Sequence, residues 1–327
     1  MLGVGKWSRK PHKKTINMTL NPNTRIYIAG HRGMVGSAVW RALEAKGYTQ
    51  LISRTSSELD LRNQADVEAF FSAERPEVVI DAAARVGGVL ANDTEPYPFL
   101  MQNLQIQNNL IDASVRHDVG KFIFLGSSCI YPKFAPQPML EEHLLTGPLE
   151  PTNQWYAVGK IAGVKACEAI RRQYGKDFLG LMPTNLYGIN DNFDLHSSHV
   201  LPALLRKFHE ARVSGGEEVV VWGTGSPLRE FLHVDDLAQA VVFAMENALD
   251  ESLYNVGSGD EVSIKQLAEL IAEITGFEGT LTFDTSKPDG TPRKLMDSGK
   301  MNRAGWSARI SLREGIERTY KWWLNQQ

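Results

Sequence analysis

The sequence predicts an α/β protein, a doubly wound parallel sheet joined to a smaller mixed α/β lobe at its C-terminal end. Three observations predict it. Apolar runs of strand length alternate with helical periodicity through about the first 185 residues. A cluster of glycines separates the first run from the first helix. Beyond the alternating part, proline and glycine become frequent and short strands mix with helices.

The opening run, residues 25–29, shows no polar alternation, as expected of a strand covered on both faces. Residues 34–46 follow as a helix, with Val35, Ala38, Val39, Ala42 and Leu43 on one face. Strands at 50–53, 77–81, 121–125 and 177–181 then alternate with helices at 64–73, 99–116 and 156–174. Parallel strands need such crossovers, and the crossovers cover the sheet. The later part gives strands at 219–221 and 280–283 and helices at 234–247, 264–274 and 312–324. Residues 1–23 are polar and basic, lack the apolar core of a signal peptide, and read as a disordered extension. Met18 is an alternative start.

Composition narrows the partners. A net charge of -3 gives no reason to expect nucleic acid or an anionic membrane, so a small molecule is the expected ligand. Two cysteines, Cys129 and Cys167, make no disulfide framework and suit a reducing, cytoplasmic setting. No run reaches the roughly 18–20 apolar residues of a membrane span.

The glycine cluster is Gly30-His31-Arg32-Gly33-Met34-Val35-Gly36. Glycine permits a tight turn and a close backbone approach, and the following helix offers free amides to a pyrophosphate. Between a strand and a helix this is a dinucleotide loop, and the sheet is accordingly Rossmann-type. An NAD site wants a carboxylate after the second strand. Here that place holds Arg54 and Ser56, with no acid before Glu58, and Arg32 adds a second guanidinium. These suit a 2′-phosphate, so the cofactor expected is NADPH/NADP+; a merely solvated Arg54 is the competing reading. Residues 24–185 then form mainly the NADP-binding domain and 186–327 mainly a substrate-binding lobe, with some of its segments returning to the first domain.

Tyr156 and Lys160 are four residues apart on one helix and so address one ligand. A neighbouring ammonium and the positive ring of an oxidised nicotinamide together lower a phenol's pKa, which eases proton delivery to an alkoxide. The strand ending in Gly126-Ser127-Ser128 adds a hydroxyl to the same place. Arg229 suits a phosphate, and Trp222 offers an aromatic face, though burial in the core is an equal reading of that residue.

Longer matches extend these motifs. Residues 30–37, 125–132, 182–188 and 287–294 resemble the extended short-chain dehydrogenase/reductase family, and within it the branch that makes GDP-L-fucose. The resemblance covers the chain from about residue 25 onward. It implies epimerisation at C3 and C5 of GDP-4-keto-6-deoxy-D-mannose, then NADPH-dependent reduction of the C4 ketone. By the same resemblance Ser127, Tyr156 and Lys160 reduce, and Cys129 and His199 exchange protons. Further cofactor contacts are implied at Asp60, Leu61, Leu125, Gly126, Ser128, Pro183, Thr184, Asn185, Leu186 and His199. Substrate contacts are implied at Lys207, Trp222, Arg229 and Asp289. A homodimer through helices 99–116 and 156–174 is implied too, and no metal.

Cys129 and His199 have ordinary readings as well, a small buried apolar residue and a satisfied histidine. Cys167, inside a helix, reads as core. The rival functions are a 4-reductase or 4-epimerase of the same family without 3,5-epimerisation, a 4,6-dehydratase, and a catalytically silent NADPH-binding protein. Dehydratases of this family carry Asp-Glu or Thr-Glu where this chain has Cys129-Ile130.

Overall fold

The fold comes from a computed structural model that describes residues 19–195, 197–287 and 289–327. Its first part runs β1 (Ile26–Ala29), α1 (Met34–Ala45), β2 (Leu51–Ile52), α2 (Gln64–Glu74), β3 (Val78–Asp81), α3 (Val89–Thr94), α4 (Pro96–Arg116), β4 (Lys121–Leu125), α5 (Gln154–Tyr174) and β5 (Asp177–Pro183). Then come β6 (Asn185–Tyr187), α6 (Val200–Ser214), β7 (Glu218–Trp222), β8 (Leu228–His233), α7 (Val234–Glu246), β9 (Leu253–Val256) and β10 (Glu261–Ser263). The chain finishes with α8 (Ile264–Thr275), β11 (Thr280–Asp284), β12 (Arg293–Lys294), α9 (Gly299–Ala304) and α10 (Leu312–Leu324).

The main sheet has the order β2-β1-β3-β4-β5-β9 with every pair parallel. Alternate side chains go to opposite faces. Ile26, Ile28, Val78, Ile80, Ile123 and Leu179 pack against α1 and α7, while Tyr27, Val79, Phe122, Phe124 and Phe178 pack against α2, α4 and α5. Burying each such side chain contributes about 1.5–3 kcal/mol, which is why these strands read as unbroken apolar runs. β2 and β3 lie on opposite sides of β1. The loops leaving β1 and β3 therefore diverge, and a crevice opens at their carboxyl ends.

β8 organises the second part. It pairs with β10 and β12 near its start and with β6 near its end, and β7 pairs separately with β11. A core of Leu204, Leu205 and Phe208 from α6, Leu267 and Ile271 from α8, and Ile316, Tyr320 and Trp323 from α10 closes over these strands.

The elements that the sequence leaves out are short or begin irregularly. β6, β8 and β9 have three to six residues each, too short for a pattern of their own to stand out. α6 carries Pro202 in its first turn, where a missing N–H costs nothing. Pro96 likewise opens α4 three residues before the predicted start. Residues 19–23, predicted to belong to a disordered extension, are held in place: the Thr49 amide and hydroxyl both donate to the Pro22 carbonyl, at 2.8 and 3.0 Å. Leu20 packs on the core. The rest of that predicted extension, residues 1–18, lies outside the described residues. Among the described residues no helix is long and apolar enough to cross a membrane, and no cluster of His, Cys, Asp and Glu is arranged to hold a metal.

Candidate active site

The glycine loop turns between β1 and α1. Gly30 has φ +77°, and a Cβ there would fall 2.7 Å from the Ala82 carbonyl oxygen, so the loop fits against the end of β3 only with glycine. The Gly33 amide donates to the Gly30 carbonyl at 3.0 Å, closing the turn. A Cβ on Gly36 would lie 2.2 Å from the Gly30 oxygen, so glycine lets α1 sit directly on the loop. Met34, Val35 and Gly36 form the first helical turn, where amides have no acceptor within the helix. This cradle fits a dinucleotide pyrophosphate.

Beyond it lie the two predicted arginines. Arg32 is exposed. Arg54 is more constrained: its guanidinium stacks over Phe70, 5.4 Å from the ring centroid, forms an ion pair with Glu74 and donates to the Ser53 carbonyl. Glu58 accepts from the Thr55 amide and hydroxyl, and these bonds, with both guanidiniums adding, hold its carboxyl below the usual range. Two cations thus act on one carboxylate beyond the glycine loop, beside the exposed Ser56. His31 is lowered by burial and by Arg32. The Asp60 carboxylate is occupied by Arg62, at 2.8 and 2.7 Å, while the Leu61 carbonyl accepts from Asn109.

β4 ends at Leu125 and passes through Gly126 into a single tight turn of residues Ser128–Ile130. The Ser127 hydroxyl caps that turn by accepting from the Cys129 amide at 3.4 Å. α5 starts at Gln154, so Tyr156 stands in its first turn and Lys160 one turn later. The Lys160 ammonium donates to the Leu125 carbonyl at 2.8 Å. It also lies 4.7 Å above the Phe124 ring and 5.8 Å from the Tyr156 ring centroid. Burial lowers the Lys160 pKa, with Asp81 opposing, and burial raises the Tyr156 phenol, with Cys129 and Asp81 adding. Among the protein's own groups, desolvation outweighs an ammonium bonded elsewhere.

Cys129 is buried, and burial pushes its thiol up against the pull of Lys294, the Ser127 hydroxyl and Lys160. His199, the residue before α6, is an exposed residue overall, and the partial burial of its ring and then Lys294 lower the imidazole. Lys294 is thus an electrostatic neighbour of both. It sits on β12, opposite Arg229 of β8, and is itself lowered by burial. The sequence gives this lysine no role, since nothing in a polar run shows that its ammonium will be covered. Cys167 lies in the core, as predicted, with its thiol pushed up by burial.

Thr184 and Asn185 both donate to the Glu230 carbonyl, at 3.3 and 2.7 Å, and so tie the end of β5 to β8. Pro183 closes β5, and Leu186 packs on the core below. Across the cleft Trp222 is 66% exposed, so it is not a core residue. The Lys207 and Lys287 ammoniums lie 5.7 and 5.6 Å from its ring. Lys287 is a second residue without a predicted role. Asp289 holds the neighbouring turn: it accepts from the Thr224 amide at 2.9 Å and the Thr224 hydroxyl at 2.7 Å. Arg229 is partly covered, and burial lowers it while Asp289 opposes.

Comparison with known proteins places this arrangement. Residues 26–257 match the NAD dependent epimerase/dehydratase family. The chain is 60% identical over 302 residues to GDP-L-fucose synthase 1 of Arabidopsis thaliana, covering 92% of this chain and 94% of that protein. It is 52% identical over 312 residues to GDP-L-fucose synthase of Escherichia coli (strain K12), covering 93% and 97%. A solved GDP-L-fucose synthetase from Naegleria fowleri, bound to NADP, superposes with a TM-score of 0.86 at 30% identity, covering 94% and 96%. With its six-stranded parallel sheet and glycine loop, the chain is an enzyme that belongs to the NAD dependent epimerase/dehydratase family.

Proposed function

We propose that this enzyme converts GDP-4-keto-6-deoxy-D-mannose to GDP-L-fucose with NADPH, epimerising C3 and C5 before reducing the C4 ketone. One observation carries the reading beyond a plain reductase. Cys129 shares a single turn with Ser127, and Lys294 couples it electrostatically to the same cleft as His199. Groups for proton exchange and for reduction thus address one sugar.

The protons on C3 and C5 are both alpha to the C4 ketone, so removing either gives an enolate. Returning a proton to the opposite face inverts the centre. At neutral pH the raised thiol is a donor and the lowered imidazole an acceptor, so Cys129 and His199 supply one of each. Ser127 hydrogen-bonds the C4 carbonyl. NADPH, when bound, supplies the hydride. Its raised pKa keeps Tyr156 protonated until an alkoxide forms, and Lys160 holds the strand end against which that transfer occurs. Reduction ends the exchange, because the neighbouring protons are acidic only beside a ketone.

Gly30–Gly36 with Arg32, Arg54 and Ser56 are read as holding the cofactor, and residues 24–185 as its main domain. In the lobe formed mainly by residues 186–327, Lys207 and Arg229 are read as gripping the diphosphate and Trp222 as facing the base. Asp289 acts on that base through the Thr224 turn. The exposed Trp155 and Val158 of α5 and Tyr97 of α4 favour a homodimer through these helices. The free cysteines favour the cytoplasm.

The test is to supply GDP-4-keto-6-deoxy-D-mannose and NADPH to the purified protein and identify the product. GDP-L-fucose with stoichiometric NADPH oxidation is expected. GDP-rhamnose as the sole product would leave a 4-reductase without epimerase activity.

A further inference from the structure

Asp81 ends β3 with its side chain wholly buried, and one carboxylate oxygen has no hydrogen-bond partner. The other accepts from the Ala83 amide at 3.1 Å. A carboxylate half satisfied in an apolar wall is unfavourable unless a positive charge faces it.

The sheet register supplies that charge. Asp81 is the ladder partner of Phe124 on β4, and strand alternation turns both side chains to the α5 side of the sheet. The Lys160 ammonium lies over that same Phe124 ring and is bonded to the next carbonyl, Leu125. A buried acid and a buried ammonium therefore flank one aromatic side chain, without a direct ion pair between them. Each also favours the charged form of the other.

We propose that Asp81 is a positioning residue for the reduction step: its carboxylate holds the Lys160 ammonium, protonated, beside Tyr156 at the ends of β3 and β4. The inference rests on the reading of Lys160 and Tyr156 as the reducing group. The titratable groups facing Asp81 are Tyr27 on β1 and Tyr156, Lys160 and Cys167 on α5. Arg54 faces Tyr27 and Cys129 faces Lys160, while the buried face of α4 carries no titratable side chain. Burial pushes the Asp81 carboxyl up to about 6, against the pull of Lys160. The carboxylate is thus charged at neutral pH and lost in mild acid.

Asp81→Asn keeps the shape and removes the charge. In the wild-type protein kcat for reduction falls as pH drops through about 6. In the variant that limb is absent. Its alkaline limb, where Lys160 loses its proton, moves down by about one unit, and kcat at neutral pH is about tenfold lower. Stability moves the other way. An aspartate titrates near 3.9 when unfolded, so the folded chain holds an extra proton up to about 6, and stability falls as pH rises through that window. Above it the charged carboxylate remains a burden, so Asp81→Asn should melt higher at pH 7.5.

A second readout needs neither cofactor nor turnover. Carbon-13 NMR of aspartate-labelled protein should show the Asp81 carboxyl titrating near 6, and Lys160→Met should move that midpoint upward. If Asp81→Asn fails to fold, Asp81→Leu tests the same alkaline shift. Unshifted pH profiles, or a carboxyl midpoint indifferent to Lys160→Met, would overturn the proposal. A wild-type protein that oxidises no NADPH with this substrate would instead overturn the reading of function, leaving the NMR result to judge Asp81.

Discussion

Lys160 donates its ammonium to the Leu125 carbonyl at 2.8 Å, so the lysine on α5 is bonded to the strand end that carries Ser127. This bond fixes the helix bearing Tyr156 against the turn bearing Ser127 and Cys129. It also explains why a lysine can be 3% exposed: its charge is met by a carbonyl dipole and an aromatic face, and the Asp81 carboxylate favours it without direct contact.

Lys160→Met should lower kcat for C4 reduction by about 100-fold or more, the usual size of a lost acid–base contribution. The melting temperature should fall modestly as well, because the buried Asp81 carboxylate loses the charge that favours it and the Leu125 carbonyl loses its donor. Steady-state kinetics and a thermal melt check both. A large fall in melting temperature with an equal loss of cofactor binding would make Lys160 structural.

Lys294 should set the pH dependence of proton exchange. Its ammonium favours the Cys129 thiolate and disfavours the His199 imidazolium, so it lowers both pKa values. Lys294→Met should therefore move both limbs of the exchange–pH profile upward, by about one unit for a single close charge. Wild-type exchange should decline below pH 6.5, on the acid side of an imidazole already lowered, and again at high pH as the thiol ionises. Limbs that stay in place in the variant would remove Lys294 from the site.

Arg32 and Arg54 should decide between the two nicotinamide cofactors. Replacing both by alanine should weaken NADPH by about 10- to 100-fold, as for the loss of charged hydrogen bonds, and leave NADH nearly unchanged. Titration of each cofactor by fluorescence separates the outcomes. Equal weakening of both would mean that Arg54 serves only its stacking on Phe70 and its pairing with Glu74.

The main sheet was legible because its strands are buried on both faces and its helices are amphipathic. Ile26, Val78, Ile123 and Leu179 announce themselves as unbroken apolar runs. β9 did not: four residues far along the chain give no local sign that they will join β5. That Tyr156 and Lys160 share one face of α5 was readable from spacing, and Lys160 reaches the strand end that precedes Ser127. Lys294, Lys287 and Asp81 were not. Their importance lies in burial and in neighbours supplied by register: Arg229 opposite Lys294, Trp222 beneath Lys287, and Phe124 beside Asp81. The bonds from Thr224 to the Asp289 carboxylate were not readable either, since 65 residues separate the two along the chain.

The central claim is that one cleft both exchanges protons and reduces. The direct measurement is the isotope content of product formed from GDP-4-keto-6-deoxy-D-mannose and NADPH in deuterated water. GDP-L-fucose carrying deuterium at both C3 and C5 is predicted, with Cys129→Ser abolishing it while NADPH affinity survives. A reduced product with protium at both carbons would contradict the account.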